Sequence, residues 1–284
     1  MIAATADDLP QIVAFWQARA ETAMFPLNNL RRYGLAGDDP FSLRVWVARQ
    51  RGVVSDVLAM TKEGMVMPCF TTNAAAAAAQ VLHGQAVIGI LGSQAAARAV
   101  EAAAGLQAVP RTLDHDEPHF LMELAHLHLP DGPGALIPLA EAPEPLVREW
   151  MLDYQLTALH TPPDFAPQRV DEAYARMVSM DSHRMLMDGA TPLAMTGFNA
   201  MLPEIVQVGG VYTPPALRGR GHARRAVALH LAEAARGGVR RATLFTASEM
   251  AARAYTAIGF QRIGTWTLLL FDGAQRVGAQ RVEE

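Results

Sequence analysis

The residue types best suited to chemistry are concentrated between Val206 and Ala223, which reads VQVGGVYTPPALRGRGHA. β-Formers at Val206, Val208 and Val211 surround Gly209-Gly210, and Pro214-Pro215 stops the strand. Arg218-Gly219-Arg220-Gly221-His222-Ala223 then leads directly into a helix-period run. A strand feeding a glycine loop that opens a helix makes an anion site. The first amides of a helix have no intrahelical partner, the helix dipole puts positive charge there, and glycine lets a phosphate approach the backbone. Inside a strand, Gly209-Gly210 costs order and marks a bulge or a close backbone approach. Arg218, Arg220, Arg224 and Arg225 crowd the positive end of the helix, where cations are disfavoured unless an anion joins them. The chemistry implied is the holding of a phosphorylated ligand.

The loop has neither the Gly-x-x-x-x-Gly-Lys-Ser/Thr order of a P-loop nor the Gly-x-Gly-x-x-Gly order of a dinucleotide site. The only lysine, Lys62, lies far away in sequence. The order present is Arg/Gln-x-x-Gly-x-Gly/Ala, as Arg218, Gly221 and Ala223. His126 and His128 alternate in a strand-like run, but no third ligand is spaced with them, so no metal is expected. No serine-nucleophile motif occurs.

The chain has 284 residues, 51% hydrophobic and 18% charged, with a net charge of −4 and pI near 6.1. That balance predicts a globular protein and argues against nucleic-acid binding as its main role. A lone cysteine, Cys69, cannot form an intrachain disulfide, which favours a reducing compartment. The start MIAATADDLP lacks the features of a signal peptide, and no apolar run reaches the roughly 20 residues of a membrane span. The expectation is a cytoplasmic protein with no membrane association.

Hydrophobic periodicity predicts a helix over 7–32, strands over 43–49, 53–60 and 65–70, and a helix over 71–84 capped from Thr71, Thr72 or Asn73. A strand over 86–91, a helix over 93–104 and a strand over 120–129 complete the first half. Pro/Gly-rich sequence around 130–143 predicts a domain boundary, giving units 1–138 and 139–284. The second half predicts helices over 144–159 and 168–177 and strands over 183–187, 192–201 and 205–213. A helix from Gly221 to Arg236, a strand over 242–246, a helix over 249–257 and a strand over 260–271 follow. The halves echo each other. Aligning Ser93 with Ser248 places Ala96-Ala97-Arg98-Ala99 on Ala251-Ala252-Arg253-Ala254, with Gly105-Leu106 matching Gly259-Phe260 apart from one extra residue. Val100 stands where the second copy has Tyr255, and the alanine tract after Thr71 stands where it has the basic loop. Chemistry is therefore expected in the second half.

With GGVYTPPALRGRGHARRAV followed by AYTAIGF, the C-terminal half resembles a GCN5-related N-acetyltransferase (GNAT) domain. The resemblance implies an α/β (α+β) fold, a mixed, mostly antiparallel central sheet flanked by helices, with the first half a degenerate copy in tandem. It implies acetyl-CoA as cosubstrate, with Val211, Tyr212 and Thr213 along the pantetheine arm. Arg218, Gly219, Arg220, Gly221, His222, Ala223 and Arg224 would hold the pyrophosphate. Tyr255 matches the tyrosine that protonates the departing thiolate in this family; the other reading is a tyrosine packing beneath the sheet. Glu204 is the candidate general base, although counting back from Gly221 puts the family's carboxylate nearer Gln207, which cannot be a base. Many relatives carry N-P-x-S-N before the tyrosine's helix, where this chain has Ser248-Glu249-Met250-Ala251-Ala252. The implied function is transfer of an acetyl group to a primary amine of a small molecule or peptide. The alternative is a catalytically silent acyl-CoA-binding regulatory module.

Overall fold

The computed structural model describes residues 1–278. The first strands and helices are β1 (Ile2–Ala3), α1 (Leu9–Gln17), α2 (Ala20–Tyr33), β2 (Leu43–Gln50), β3 (Val53–Thr61) and β4 (Met65–Phe70). They continue with α3 (Ala75–Leu82), β5 (Ala86–Ser93), α4 (Gln94–Ala103), β6 (Arg111–Glu123), β7 (Ala135–Pro138), α5 (Glu144–Thr157) and α6 (Ala166–Ser179). The last are β8 (His183–Asp188), β9 (Thr191–Met201), β10 (Ile205–Tyr212), α7 (His222–Arg236), β11 (Arg241–Phe245), α8 (Glu249–Thr256) and β12 (Gln261–Arg276). No helix among the described residues is long and apolar enough to cross a membrane.

The chain divides into two compact units, Met1–Pro118 with the segment from Gly264 onward, and His119–Ile263. In the first unit the strand order is β1-β2-β3-β4-β5-β12. β2, β3 and β4 form an antiparallel meander, β4 pairs β5 in parallel at Met65–Gly89 and Val66–Ile90, and β12 closes antiparallel on β5 from Trp266–Ser93. Leu58, Val66, Leu82, Ile90, Val100, Leu269 and Phe271 form its core. In the second unit the order is β6-β11-β10-β9-β8-β7. β8, β9 and β10 are antiparallel, β10 pairs β11 in parallel, and β6 closes antiparallel on β11 through His119–Phe245 to Glu123–Arg241. The parallel pair in each unit is joined by a crossover helix, α3 or α7, as parallel strands require. The internal repeat thus marks one plan used twice.

Each closing strand comes from the other half of the sequence. β12 completes the first unit, and the end of β6 completes the second. The units therefore do not coincide with 1–138 and 139–284. The stretch read as a linker contains β7, an edge strand paired with β8 from Ala135–Met187 to Pro138–Arg184. Prolines hid it, yet an edge strand tolerates proline because its outer amides need no partner.

Other departures from the sequence expectation have local causes. The helix expected over 7–32 is two helices. Arg19 leaves helical geometry at φ −135°, and its guanidinium donates to the Phe15 carbonyl at 3.1 Å, satisfying the end of α1. Within α2, Pro26 sits three residues after the non-helical Ala23, a kink proline imposes on the preceding turn. The strand expected over 120–129 begins at Arg111 and ends at Glu123, so His126 lies in a 3₁₀ turn and the two histidines share no strand. The charged run Arg111–Pro118 masked the strand. Its carboxylates Asp114 and Asp116 are paired with Arg98 on α4.

Candidate functional site

The site is built where β10 leaves β11. The two strands pair in parallel from Ile205–Arg241 to Gln207–Thr243, and the pairing stops there. On its other side β10 stays with β9, but Gly209–Gly197 is followed by Tyr212–Met195. Three steps on one strand against two on the other make a bulge. Gly210 takes φ +62° to form it, a region in which a side chain is strained. Directly after the bulge, Val211, Tyr212 and Thr213 line a cleft of about 580 Å³. Ligand pockets span roughly 300–1,000 Å³.

Behind the cleft, α7 buries Ala226, Val227 and Leu231 completely, the valine and leucine worth about 1.5–3 kcal/mol each. This anchors the helix so that its start faces the cleft. Gly219 and Gly221 take φ +77° and +80°, and Gly221 is an N-cap with no side-chain hydrogen bond to the first amides of α7. Arg218, Gly219, Arg220, Gly221, His222, Ala223 and Arg224 all line the cleft. Arg218 Nε donates to the Thr213 carbonyl at 3.0 Å, bracing the loop. Thr213 Oγ1 and Arg224 Nε are buried with no hydrogen-bond partner among the described residues. The uncapped start of α7, the glycines at left-handed positions and the arginines lining the cleft fit the pyrophosphate of coenzyme A. Arg225 does not share the site: its guanidinium donates to the carbonyls of Pro130, Pro133 and Gly134. Three of the four arginines, Arg218, Arg220 and Arg224, thus line the cleft, and the fourth fastens the approach to β7.

The opposite wall comes from α8. Ser248 Oγ accepts from the Ala251 amide at 3.3 Å, capping the helix that presents Met250, Ala251, Ala254 and Tyr255. Tyr255 is 8% exposed and packs edge-on to Phe260, centroids 6.0 Å apart. Burial pushes its hydroxyl well above the ordinary tyrosine range, with Tyr154 adding to the shift. At neutral pH it is therefore protonated, in the cleft wall. The third wall is α5, through Tyr154, Thr157 and Ala158. These residues carry no motif. The periodicity that buries Val147, Trp150 and Met151 extends to Tyr154, but only the packing shows which end of α5 meets the cleft.

Glu204 is not among the residues lining the cleft. It is exposed at the start of β10, and its carbonyl accepts from the amides of Arg240 and Arg241. Seven residues separate it from Val211, roughly 23 Å along a strand. Gln207 is buried at the last step of the parallel pair, with Nε2 donating to the Val208 carbonyl at 2.7 Å. Asp181 and His183 have structural employment. Asp181 and Glu233 hold the buried Arg184 guanidinium between them, at 2.8 and 2.7 Å. His183 lies across Gly197 and Gly210, and its Nδ1 meets Ser182 Oγ at 2.9 Å. A Cβ on Gly197 would sit 2.1 Å from that ring, which is buried and cannot swing away. Gly197→Ala should therefore lower stability by about 1–3 kcal/mol, read as a fall in denaturation midpoint. An unchanged midpoint would mean that the ring has room to move.

The first unit fills its matching position from within. Only 71–74 connect β4 to α3, whereas 213–221 connect β10 to α7. Asp56 of β3, 1% exposed, accepts from the amides of Thr71 and Thr72 and from the hydroxyls of Thr72 and Ser55, all at 2.8 Å. Thr71 and Thr72 thus bind Asp56, and α3 has Ala74 at its N-cap with no side-chain cap. The anion here is part of the chain. Among the described residues, no group of three or more His, Cys, Asp or Glu side chains could hold a metal ion.

One strand plan, an antiparallel meander, a parallel pair joined by a crossover helix and a closing strand, is built twice, with the bulged strand and the glycine loop only in the second unit; this is the tandem GNAT fold. No family model and no curated protein matches the sequence. Solved structures do match in fold. The chain is similar to a tandem GNAT protein from the clavulanic acid biosynthesis pathway, at 14% identity and TM-score 0.53, over 98% of each chain. It is also similar to a GCN5-related N-acetyltransferase from Kribbella flavida, at 16% identity and TM-score 0.55, over 90% of this chain and 95% of that one. A Drosophila protein aligns at 11% identity and TM-score 0.64, over 94% of this chain and 97% of that one.

Proposed function

We propose that this chain is an acetyl-CoA-dependent N-acetyltransferase whose second unit carries the activity. It would move an acetyl group directly to a primary amine of a small molecule or peptide. The carrying observation is the cleft itself, which joins an uncapped, glycine-lined helix start to a protonated Tyr255. The backbone of Val211, Tyr212 and Thr213 would run beside the pantetheine arm, and residues 218–224 would bind the pyrophosphate. Amine attack on a thioester releases a thiolate, and Tyr255 is placed to protonate it, which lowers the barrier to its departure. Glu204 could accept the ammonium proton only through solvent, given its position. The first unit, with its anion position filled by Asp56, would serve as a structural partner. The lone, buried Cys69 is in keeping with a cytoplasmic protein.

Thermal unfolding with and without acetyl-CoA tests the reading, alongside Gly221→Glu. A ligand that binds only the folded state stabilises by RT ln(1 + [L]/Kd), about 2.7 kcal/mol at a hundredfold excess. The wild type should gain such protection. The variant should not, because glutamate at a left-handed position strains the loop and puts negative charge where phosphate must bind. No protection of the wild type at millimolar acetyl-CoA would overturn the proposal. Protection without thiol release by any amine would instead support the silent acyl-CoA-binding module.

A further inference from the structure

One carboxylate is tied to the cleft wall. Tyr212, which lines the cleft, donates its hydroxyl to Oδ2 of Asp153 at 2.6 Å. The tyrosine ring packs on Trp150, centroids 5.5 Å apart, within the buried group that seats α5 on β8, β9 and β10. Packing thus holds the hydroxyl on Asp153. Burial first, then the hydrogen bond and charge of Asp153, push Tyr212 up to about 12, so it remains a donor at neutral pH. With Oδ2 engaged, Oδ1 has no hydrogen bond among the described residues.

Asp153 also has no ion-pair partner among the described residues. Glu144 on the same helix is neutralised by Arg148, whereas Asp153 and Glu149, one turn apart, are not paired, and both add negative charge at Tyr212. The opposing charge there is Arg218, whose Nε is committed to Thr213. Asp153 does not itself line the cleft, but its hydrogen-bond partner Tyr212 does, as do Tyr154 and Thr157, adjacent to it and one turn beyond it on α5. A carboxylate with one oxygen fixed by a neutral donor and the other open is a receptor for a cation.

We propose that Asp153, positioned by Tyr212, receives the acceptor's ammonium group and makes the enzyme selective for aliphatic amines, which are cationic at neutral pH. Asp153 Oδ1 takes one ammonium proton: an N–H bond breaks, an O–H bond forms, and the nitrogen regains the lone pair needed for attack. The proton then passes to solvent. This inference rests on the acyl-transfer reading and adds the recognition of the acceptor.

The test measures thiol release from acetyl-CoA by the full chain, with n-hexylamine or aniline as acceptor, for wild type, Asp153→Asn and Tyr212→Phe. Acetyl-CoA protection against unfolding is measured on the same samples. Hexylamine should exceed aniline at least tenfold in kcat/KM. Asp153→Asn should lower kcat/KM for hexylamine by about a hundredfold, the loss of a charge-assisted hydrogen bond, and leave aniline within about threefold. Tyr212→Phe, which keeps the ring packing, should lower hexylamine use about tenfold, and Asp153→Asn should keep acetyl-CoA protection. The proposal is overturned if either variant loses both amines equally, if neither variant affects hexylamine, or if aniline is the better acceptor. It is also overturned if acetyl-CoA protects the wild type but neither amine releases thiol. Absence of protection in the wild type overturns the acyl-transfer reading itself and this inference with it. Should Asp153→Asn not fold, Tyr212→Phe alone decides.

Discussion

A fragment of residues 139–284 should not fold on its own, although it contains every residue of the cleft. It lacks the strand that closes the sheet on β11, which pairs antiparallel from His119–Phe245 to Glu123–Arg241. It also lacks Phe120, Met122 and Leu124, all buried against Val208, Leu231, Ile258 and Phe260. Exposing three such side chains costs on the order of 5 kcal/mol, comparable to the whole stability of many domains. The complementary fragment, 1–138, loses β12 and with it Leu269, Phe271 and Val277 from the first core. Neither fragment should show cooperative unfolding by circular dichroism or calorimetry. A fragment of residues 119–263, which matches the second unit, should unfold cooperatively and gain stability from acetyl-CoA. Cooperative unfolding of 139–284 near the midpoint of the full chain would show that the exchanged strand is dispensable.

Asp56→Ala should be the most damaging single substitution in the first unit. It leaves the amides of Thr71 and Thr72 without their acceptor and removes the bonds to the Thr72 and Ser55 hydroxyls. Hydrogen bonds to a charged group are worth about 1.5–3 kcal/mol each and do not add fully, so a loss of about 3 kcal/mol or more is expected. The effect should carry a pH signature. Burial raises the Asp56 pKa, but the hydrogen bonds from Thr72, Ser55 and Thr71 outweigh it and hold the group below its ordinary 3.8. A carboxylate depressed in the folded state stabilises above its unfolded pKa and loses that contribution as pH falls through the folded value. The gap between wild type and variant should therefore be constant near neutrality and narrow below about pH 4. Chemical denaturation at pH 7 and pH 3 checks this, and a gap that widens in acid would contradict the assignment. Because Asp56 lies in the first unit, acetyl-CoA protection of whatever protein remains folded should persist.

Residues whose meaning is local were legible in the sequence. Pro214-Pro215 must stop a strand, glycines at 219 and 221 must loosen a loop, and the apolar period after His222 must bury one helix face. The loop wall of the cleft could therefore be read from one contiguous stretch. Tyr255 is singled out only through the resemblance of AYTAIGF to the family's tyrosine segment. The α5 wall could not be read. Asp153 and Tyr212 are 59 residues apart, and nothing in the spacing of either shows that α5 lies over the end of β10. The same limit applied to the arginines, since Arg224 and Arg225 are equivalent as sequence. Only the path of the chain through Pro130 and Gly134 takes Arg225 out of the site.

By itself, the sequence determined most of the strands and helices, the internal repeat, the glycine loop that opens α7 and the inequality of the two halves. These follow from backbone propensity, hydrophobic period and the geometry of short segments, all of which act over a few residues. Tertiary structure alone decided which strands close each sheet, where β7 belongs, and which carboxylate stands beside the cleft. The reason is that a strand's hydrogen-bonding edge is the same whichever half supplies its partner. Sheet pairing is selected by the total burial achieved, as Phe120 and Met122 in one core and Leu269 and Phe271 in the other show. That total is a property of the whole folded chain.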